Sequence, residues 1–301
     1  MEVAALPTPL YNIISYVIML VDAKTTAFLR PLALYIRSVC AADFELAPRI
    51  NSQRIMAKAV IFSDFDGTIT WQDSNDFLAD QYGLGQAARR RLFEGVIEGT
   101  TSFRDGFLQM LESIRLPFDQ CVSKVREHVQ LDPGFKDMYE WTRREGVPLV
   151  VISSGMRPLI EALLEQLLGH EALQQIEVIA NEVDVRQDGT WCIRYRDESE
   201  HGHDKSRSIA ACKQRWQHLE PAPVYFYCGD GISDLSAAKE CDLLFAKSGK
   251  DLISFCKKQD VPFREFNTFD DVLSAVKRVV AGEASVTELQ GAPLRKHCLH
   301  Q

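Results

Sequence analysis

Short runs of apolar residues punctuate the middle of the chain, and each ends in a polar or glycine-rich turn. The runs cover residues 59–62, 149–152, 225–228 and 243–246. Their hydrophobicity is continuous rather than alternating, which is typical of strands that are covered on both faces. Segments with the apolar spacing of helices lie between them. Strands that alternate with helices predict a Rossmann-like α/β fold, in which an open parallel sheet carries helices on both faces.

Two stretches interrupt this alternation. Residues 72–132 are rich in Phe, Leu, Arg and Glu and show no strong strand signal, so we expect a small helical cap inserted after the first strand. Residues 182–186 and 191–195 alternate between apolar and polar, and a Gln-Asp-Gly-Thr turn joins them, which predicts a β-hairpin. The catalytic core would then consist of residues 56–71 and 133–280.

The two ends of the chain lack this pattern. Residues 10–21 are mostly apolar, but the run is shorter than the about 20 residues that span a bilayer, and no basic region precedes it. We expect residues 1–55 to be a dispensable N-terminal extension. An amphipathic helix that associates with a membrane is the alternative interpretation. Residues 281–301 have little apolar periodicity and are predicted to be a disordered tail.

Composition narrows the class of protein. The 301 residues suffice for one core and a small accessory domain. The net charge of -8 argues against general affinity for nucleic acid, but a small anionic substrate needs only one local cationic pocket. The eight cysteines form no Cys-x-x-Cys pair, which favours free thiols in a reducing compartment. We therefore expect a cytoplasmic protein; the composition indicates no oligomeric state.

Two carboxylates follow the first apolar run directly. Asp64 and Asp66 lie two residues apart, so on an extended chain they point to the same side, and Gly67 then permits a sharp turn. Converging acids repel each other and are costly to desolvate. They persist most readily when a cation lies between them or when one acid takes part in chemistry. A surface turn with two chance aspartates is the alternative.

Three further polar motifs follow in order. Ser153-Ser154-Gly155 closes the second run, Lys205 lies in Gly-His-Asp-Lys-Ser, and Gly229-Asp-Gly-Ile-Ser-Asp234 closes the third run. Together with the first motif they resemble the haloacid dehalogenase-like phosphatases over roughly residues 57–275. The resemblance is greatest to the branch that holds phosphoserine phosphatase, the phosphocholine and phosphoethanolamine phosphatases and the methionine-salvage phosphatase.

The resemblance implies roles for the acids. Asp64 would be the nucleophile that forms an aspartyl-phosphate, and Asp66 would be the general acid and base. Asp64, the backbone carbonyl of Asp66 and Asp230 would hold Mg²⁺, whose preferred ligands are hard oxygens. Asp234 would orient metal-bound waters or the lysine, and it could equally be a helix N-cap.

The remaining motif residues would bind the phosphate. Ser153 would hydrogen-bond a phosphoryl oxygen, with Ser154 as a competing choice, and Lys205 would neutralise the phosphate charge. Gly155 would let backbone N–H groups approach the phosphate closely. His203, close to the lysine in sequence, is expected to be a surface residue or to support the site indirectly.

The cap is expected to contact the leaving group. Asp73, Asn75 and Asp76 are candidates, and the two acids would favour a cationic leaving group such as an amine. Arg104 would favour a carboxylate. For each residue singly, a solvated cap position is the alternative. An apolar leaving group would instead indicate three aromatic residues as the pocket wall: Phe93, Phe103 and Phe107.

The sequence therefore predicts Mg²⁺-dependent hydrolysis of a small phosphorylated metabolite. A phosphomutase of the same fold would share the two-aspartate start but retain the phosphoryl group. A catalytically silent binding protein of the same fold is the alternative outside enzymes.

Overall fold

A computed structural model of the chain describes residues 58–290. One seven-stranded sheet with the order β4-β3-β2-β1-β5-β6-β7 forms its centre, and every neighbouring pair is parallel except β3 and β4. The strands are β1 (Ala59–Ser63), β2 (Leu149–Met156), β3 (Glu177–Val185), β4 (Trp191–Arg194), β5 (Val224–Gly229), β6 (Leu243–Lys247) and β7 (Arg264–Phe266). This architecture confirms the predicted α/β fold.

Helices fill the connections between the strands. In the cap region they are α1 (Ser74–Tyr82), α2 (Gln86–Ile97), α3 (Phe103–Glu112) and α4 (Phe118–His128). In the core they are α5 (Gly134–Glu145), α6 (Arg157–Leu168), α7 (His170–Leu173), α8 (Lys205–Lys213), α9 (Leu235–Ala238), α10 (Asp251–Gln259), α11 (Phe269–Val280) and α12 (Val286–Leu289). A 3₁₀ turn, Ile232–Asp234, precedes α9.

The central strand packs into two separate apolar clusters. Ala59 and Ile61 belong to the cluster on one face of the sheet, whereas Val60 and Phe62 belong to the cluster on the other. All five residues of β1 are buried. Continuous hydrophobicity in the sequence thus corresponds to a strand that is covered on both faces.

The two connections between cap and core run side by side. The Trp71 amide donates to the Gln130 carbonyl at 2.8 Å, and Thr70 and Leu131 form an isolated antiparallel bridge. Asp132, which the sequence analysis assigned to the cap, is instead a fully buried core residue. Its carboxylate accepts a hydrogen bond from Lys247 Nζ at 2.9 Å, which places it beneath the end of β6.

The predicted hairpin is present, but it is not a separate insertion. Val185 pairs with Trp191 across its turn. β3 begins earlier, at Glu177, and pairs in parallel with β2 before it enters the hairpin. Because residues 178–180 are buried between helices, this half of the strand belongs to the core.

The segment predicted as a disordered tail starts with ordered structure. The Ser285 hydroxyl accepts from the Glu288 amide at 3.2 Å and caps α12, whose Leu289 side chain is buried. Burial of this leucine anchors α12 to the core. The predictions for residues 1–55 and 291–301 lie outside the described residues. Within residues 58–290, no helix combines the length and apolarity needed to cross a membrane.

Candidate active site

The candidate residues lie at the ends of three neighbouring strands, at one edge of the sheet. β1 is flanked by β2 and β5, and the three are parallel, so their carboxyl ends coincide. Asp64 follows β1, Ser153 and Gly155 lie at the end of β2, and Asp230 follows β5. Ligands of open parallel sheets bind at this edge.

Asp64 lies at the centre of this group and is almost fully buried. Its Oδ1 accepts from Lys205 Nζ at 2.8 Å and from the Phe65 amide at 2.7 Å. Its own amide donates to the Cys228 carbonyl at 2.8 Å, which fixes the residue between β1 and β5. Burial raises the pKa of the Asp64 carboxyl to about 7, and the charge of Lys205 opposes this rise. The site therefore favours a cation beside this carboxylate.

Lys205 is buried at the first position of α8. The preceding Asp204 caps the helix by accepting from the Ser206 amide at 3.0 Å. Lys205 Nζ lies 2.8 Å from Asp64 Oδ1 and 2.7 Å from Asp234 Oδ1. Burial alone would lower the pKa of the Lys205 ammonium, but the two carboxylates raise it above its ordinary value, so the group stays charged.

Asp234 supports the site through four hydrogen bonds. Its Oδ1 accepts from Lys205 and from the Tyr227 hydroxyl at 2.5 Å. Its Oδ2 accepts from the Asp230 amide at 2.9 Å and the Gly231 amide at 3.0 Å. The side chain thus orients the lysine and closes the turn after β5, and it does not cap α9. Sequence reasoning missed Tyr227, which lies within an apolar run.

The carboxylates at this edge of the sheet fit a hard divalent cation. Oxygen atoms of Asp64, Asp230 and Asp234 lie within 4.8 Å of one another. Burial, and then the nearby Asp64, raises the pKa of Asp230 well above its ordinary value, so these acids favour a cation between them. Gly67 has φ +76, and a Cβ there would lie 2.1 Å from Asp230 Oδ2, so glycine is required. The donor set suits Mg²⁺.

Asp66 points towards the cap rather than towards this cluster. Its Oδ1 accepts from the Ser74 amide at 2.8 Å, and its Oδ2 accepts from Asn75 Nδ2 at 3.0 Å. Burial, followed by repulsion from Asp73, raises the pKa of the Asp66 carboxyl to about 8. Its side chain is therefore placed apart from the acidic cluster, as expected if only its backbone carbonyl contacts a metal.

Both serines after β2 line the same cavity as the acids. Ser153 Oγ accepts from the Gly155 amide at 3.0 Å. Ser154 Oγ is buried and has no hydrogen-bond partner among the described residues. The geometry thus keeps both as candidates for a phosphate contact.

His203 contacts the backbone of the segment that carries Ser153 and Ser154. It is buried, its Nδ1 donates to the Ser153 carbonyl at 2.7 Å, and its Nε2 accepts from Ser208 Oγ at 2.8 Å. Burial lowers the pKa of the His203 ring to about 4. The ring is therefore neutral. Of the two roles expected for His203, a surface residue or indirect support of the site, its burial and contacts favour the second.

A cavity of about 270 Å³ lies between this edge of the sheet and the cap. Its floor consists of the catalytic candidates described above. The cap contributes both polar and apolar residues to its lining. These cap residues are Asp73, Asn75, Asp76, Arg89, Phe93, Val96, Ile97, Phe103 and Phe107.

Arg104 does not line this cavity, contrary to the prediction that it contacts the leaving group. Its Nη1 donates to the Asp197 carbonyl at 2.5 Å, and its guanidinium stacks 4.4 Å from the centre of the Tyr195 ring. The Tyr195 hydroxyl in turn donates to the Arg104 carbonyl at 2.8 Å. These contacts hold the arginine against the loop that follows β4.

Arg89 is the arginine that lines the cavity. Its guanidinium binds both carboxylate oxygens of Asp80, at 2.7 and 2.9 Å, and lies 2.5 Å from Asp76 Oδ2. Sequence reasoning missed it because it lies in a run of three arginines, which is typical of a solvated helix face. Arg90 and Arg91 are indeed exposed.

Comparison with known proteins finds a matching family model and similar proteins. The model of the haloacid dehalogenase-like hydrolase family matches residues 61–239. The chain is 56% identical over 238 residues to "Polyol phosphate phosphatase PYP1" of Saccharomyces cerevisiae, covering 78% of this chain and 99% of that protein. It is 48% identical over 212 residues to "Pdp3-interacting factor 1" of Schizosaccharomyces pombe, covering 70% of this chain and 92% of that protein.

Solved structures show the same fold at low sequence identity. A substrate-bound phosphoserine phosphatase superposes with a TM-score of 0.56 at 18% identity, covering 72% of this chain and 98% of that one. A phospho-aspartyl intermediate analogue of phosphoserine phosphatase gives a TM-score of 0.54 at 17% identity, with the same coverage of both chains. These likenesses support the architecture of the core.

Proposed function

Because the chain belongs to the haloacid dehalogenase-like hydrolases, we propose that it hydrolyses small phosphate monoesters in a Mg²⁺-dependent reaction through an aspartyl-phosphate. The observation that carries this proposal is the Asp64 carboxylate, held by Lys205 at the edge of the sheet beside Asp230. A nucleophile, a fixed cation and a cluster of hard oxygen ligands are the groups that phosphoryl transfer requires.

The first half of the reaction transfers the phosphoryl group to the protein. An oxygen of Asp64 forms a bond to phosphorus while the bond from phosphorus to the leaving oxygen breaks. Asp66 donates its proton to that leaving oxygen, which departs as an alcohol. Lys205 and the N–H groups near Gly155 stabilise the charge on the phosphoryl oxygens, with Ser153 or Ser154 as a hydroxyl donor.

The second half returns the protein to its starting state. Asp66, now ionised, takes a proton from a water molecule as that water attacks the phosphorus of the aspartyl-phosphate. The bond between phosphorus and the Asp64 oxygen breaks, and inorganic phosphate leaves. Asp64, Asp230 and the backbone carbonyl of Asp66 would hold Mg²⁺, which neutralises phosphoryl charge when bound.

We further propose phosphorylated polyols as the substrate class. The relative with 56% identity over nearly its whole length is named for such substrates. The cap side of the cavity offers carboxylate and amide oxygens that accept hydrogen bonds from hydroxyls, and its Arg89 is already bound to two carboxylates. A neutral, hydroxyl-rich leaving group fits these surroundings better than a second anion.

The test measures phosphate release from p-nitrophenyl phosphate and from a panel of polyol, sugar, amino-acid, amine, ketone and isoprenoid phosphates. We expect activity with Mg²⁺, loss of activity with EDTA, and preference for polyol phosphates. Asp64→Asn should lower kcat by roughly 10⁴-fold or more, because it removes the nucleophile. Full activity of this variant would refute the mechanism. Isomerised sugar phosphate without free phosphate would indicate a phosphomutase. If the protein converts none of these compounds, it is a catalytically silent binding protein.

A further inference from the structure

Asn75 connects the cap directly to the aspartate that we assign as general acid. It is the second residue of α1 and is 2% exposed. Its Nδ2 donates to Asp66 Oδ2 at 3.0 Å, and the amide of the preceding Ser74 donates to Asp66 Oδ1 at 2.8 Å. Both oxygens of Asp66 are therefore held by the first turn of a cap helix.

The end of β2 closes this arrangement from the opposite side. A Cβ on Gly155 would lie 2.6 Å from Asp66 Oδ2 and 3.2 Å from Asn75 Nδ2. The backbone of Gly155 thus lies close to the hydrogen-bonded pair, and a side chain at this position would clash with Asp66. Asp73 fixes the helix end itself, because its Oδ1 accepts from the amides of Asn75 and Asp76 at 2.8 and 2.9 Å.

The side-chain carbonyl oxygen of Asn75 has no hydrogen-bond donor among the described residues. Its Oδ1 is buried and accepts no hydrogen bond from any residue in the range 58–290, and Asn75 lines the cavity. A buried acceptor without a donor is unfavourable. A hydroxyl of a bound leaving group would supply the missing donor.

We propose that Asn75 is a positioning residue that couples the cap pocket to proton transfer. Its amide nitrogen holds the carboxyl of Asp66 in place for the leaving oxygen, while its carbonyl oxygen accepts a hydrogen bond from a hydroxyl of the leaving group. This inference rests on the proposed phosphatase function. It adds a residue through which the cap acts on the chemical step.

The test uses the leaving group to isolate the proton transfer. Glycerol phosphate releases a strongly basic alkoxide that needs a proton, whereas p-nitrophenolate leaves without one. The ratio kcat/KM reports steps up to departure of the leaving group, so the later hydrolysis of the aspartyl-phosphate does not enter. Asn75→Leu should lower kcat/KM for glycerol phosphate about 100-fold, as expected when general acid catalysis is impaired. For p-nitrophenyl phosphate it should fall less than about threefold.

Three further variants separate positioning from a structural role. Asn75→Asp has the same shape but replaces the donor by an acceptor, so it should show the same selective loss. Gln72→Leu removes an amide from the exposed linker of the cap, where its Oε1 accepts from the Gln130 amide at 2.9 Å, and should affect both substrates equally. In an Asp66→Ala background, Asn75→Leu should lower kcat/KM for glycerol phosphate by less than about tenfold, because only the hydrogen bond to the leaving-group hydroxyl is then lost.

Several outcomes would overturn the inference. Equal losses on the two substrates would make Asn75 a structural residue, and an undiminished effect in the Asp66→Ala background would show that it does not act through Asp66. Unchanged kinetics of Asn75→Leu would also refute it. In each case the wild-type protein remains active, so the proposed function stands. A wild-type protein that hydrolyses neither substrate would instead refute the function and this inference together.

Discussion

Asp76 controls the charge that the cap presents to a leaving group. Its carboxylate pairs with Arg89, which Asp80 binds from the other side. Asp76→Asn keeps the shape but leaves the guanidinium with one carboxylate instead of two. We expect the variant to accept carboxylate-bearing leaving groups better, so that kcat/KM for phosphoglycerate relative to glycerol phosphate rises about tenfold.

The assay for Asp76→Asn belongs at pH 8.5. Burial, and then repulsion from Asp73, raises the pKa of the Asp76 carboxyl to about 8, so the wild-type residue is mostly ionised at this pH. Asp105→Asn is a matched control, because Asp105 is an exposed carboxylate of the cap. A similar change in selectivity with the control would indicate a general effect of cap charge rather than of the Arg89 pair.

His203 makes stability depend on pH. Its pKa of about 4 in the folded protein lies below the ordinary value of 6.5, so the unfolded chain binds more protons between these limits. Stability contributed by this ring is complete above pH 6.5 and is lost as the pH falls towards 4. At pH 5 the loss is about 2 kcal/mol.

The measurement is urea unfolding of wild type and His203→Asn at pH 7 and pH 5. Buried acids with raised pKa values respond in the opposite direction, but they respond in both proteins and cancel in the difference. Wild type should lose about 2 kcal/mol more than the variant between the two pH values. Equal losses would mean that the pKa of the His203 ring in the folded protein is not lowered.

At the scale of elements, one buried ion pair connects β6 to the linkers of the cap. Lys247 Nζ contacts Asp132 Oδ2 at 2.9 Å and the Thr68 carbonyl at 3.2 Å, while it lies 4.7 Å from the centre of the Trp71 ring. Lys247→Met would leave the Asp132 carboxylate buried without its cation. We expect a loss of about 3–5 kcal/mol in the free energy of unfolding.

Two comparisons test this ion pair by urea unfolding. Lys257→Met, at an exposed position of α10, should change stability by less than about 0.5 kcal/mol. Adding Asp132→Leu to Lys247→Met should recover part of the loss, because no unpaired charge then remains. A double variant that is no more stable than Lys247→Met would show that losing the hydrogen bonds from the Gly134 and Phe269 amides to Asp132 costs as much as removing the unpaired charge restores.

The strands that the sequence predicted are those with continuous apolar runs. β1, β2, β5 and β6 all gave this signal because helices cover both of their faces. β7 was missed because an edge strand of three residues, with only Phe266 buried, has no such run. The first half of β3 was missed because its apolar residues lead directly into the polar hairpin.

The site residues that could be predicted are those whose position follows from the order of the strands alone. Asp64 and Asp230 follow neighbouring parallel strands, so their meeting needs no knowledge of side-chain packing. The residues of the cap that line the cavity could not be predicted in this way. Arg89 and Arg104 both lie on cap helices among polar neighbours, and only the packing of α2 and α3 determines which of them lines the cavity.

At the scale of the whole molecule, residues 58–290 contain both apolar clusters and every residue assigned to the site. The relative from Saccharomyces cerevisiae is matched over 99% of its length by 238 residues of this chain. We therefore predict that a chain beginning at Met56 folds and hydrolyses glycerol phosphate with a kcat/KM within about twofold of the full-length value.

Full-length and shortened proteins should be compared for thermal stability, kcat/KM and recovery with sedimented membranes. Equal stability and activity would support a dispensable extension, since the core and the site then need nothing from residues 1–55. An insoluble or inactive shortened protein would contradict that prediction. If both proteins are active and only the full-length chain sediments with membranes, the extension acts as an amphipathic membrane anchor. Its apolar residues would then bind the membrane, and catalysis would depend only on the residues that follow Met56.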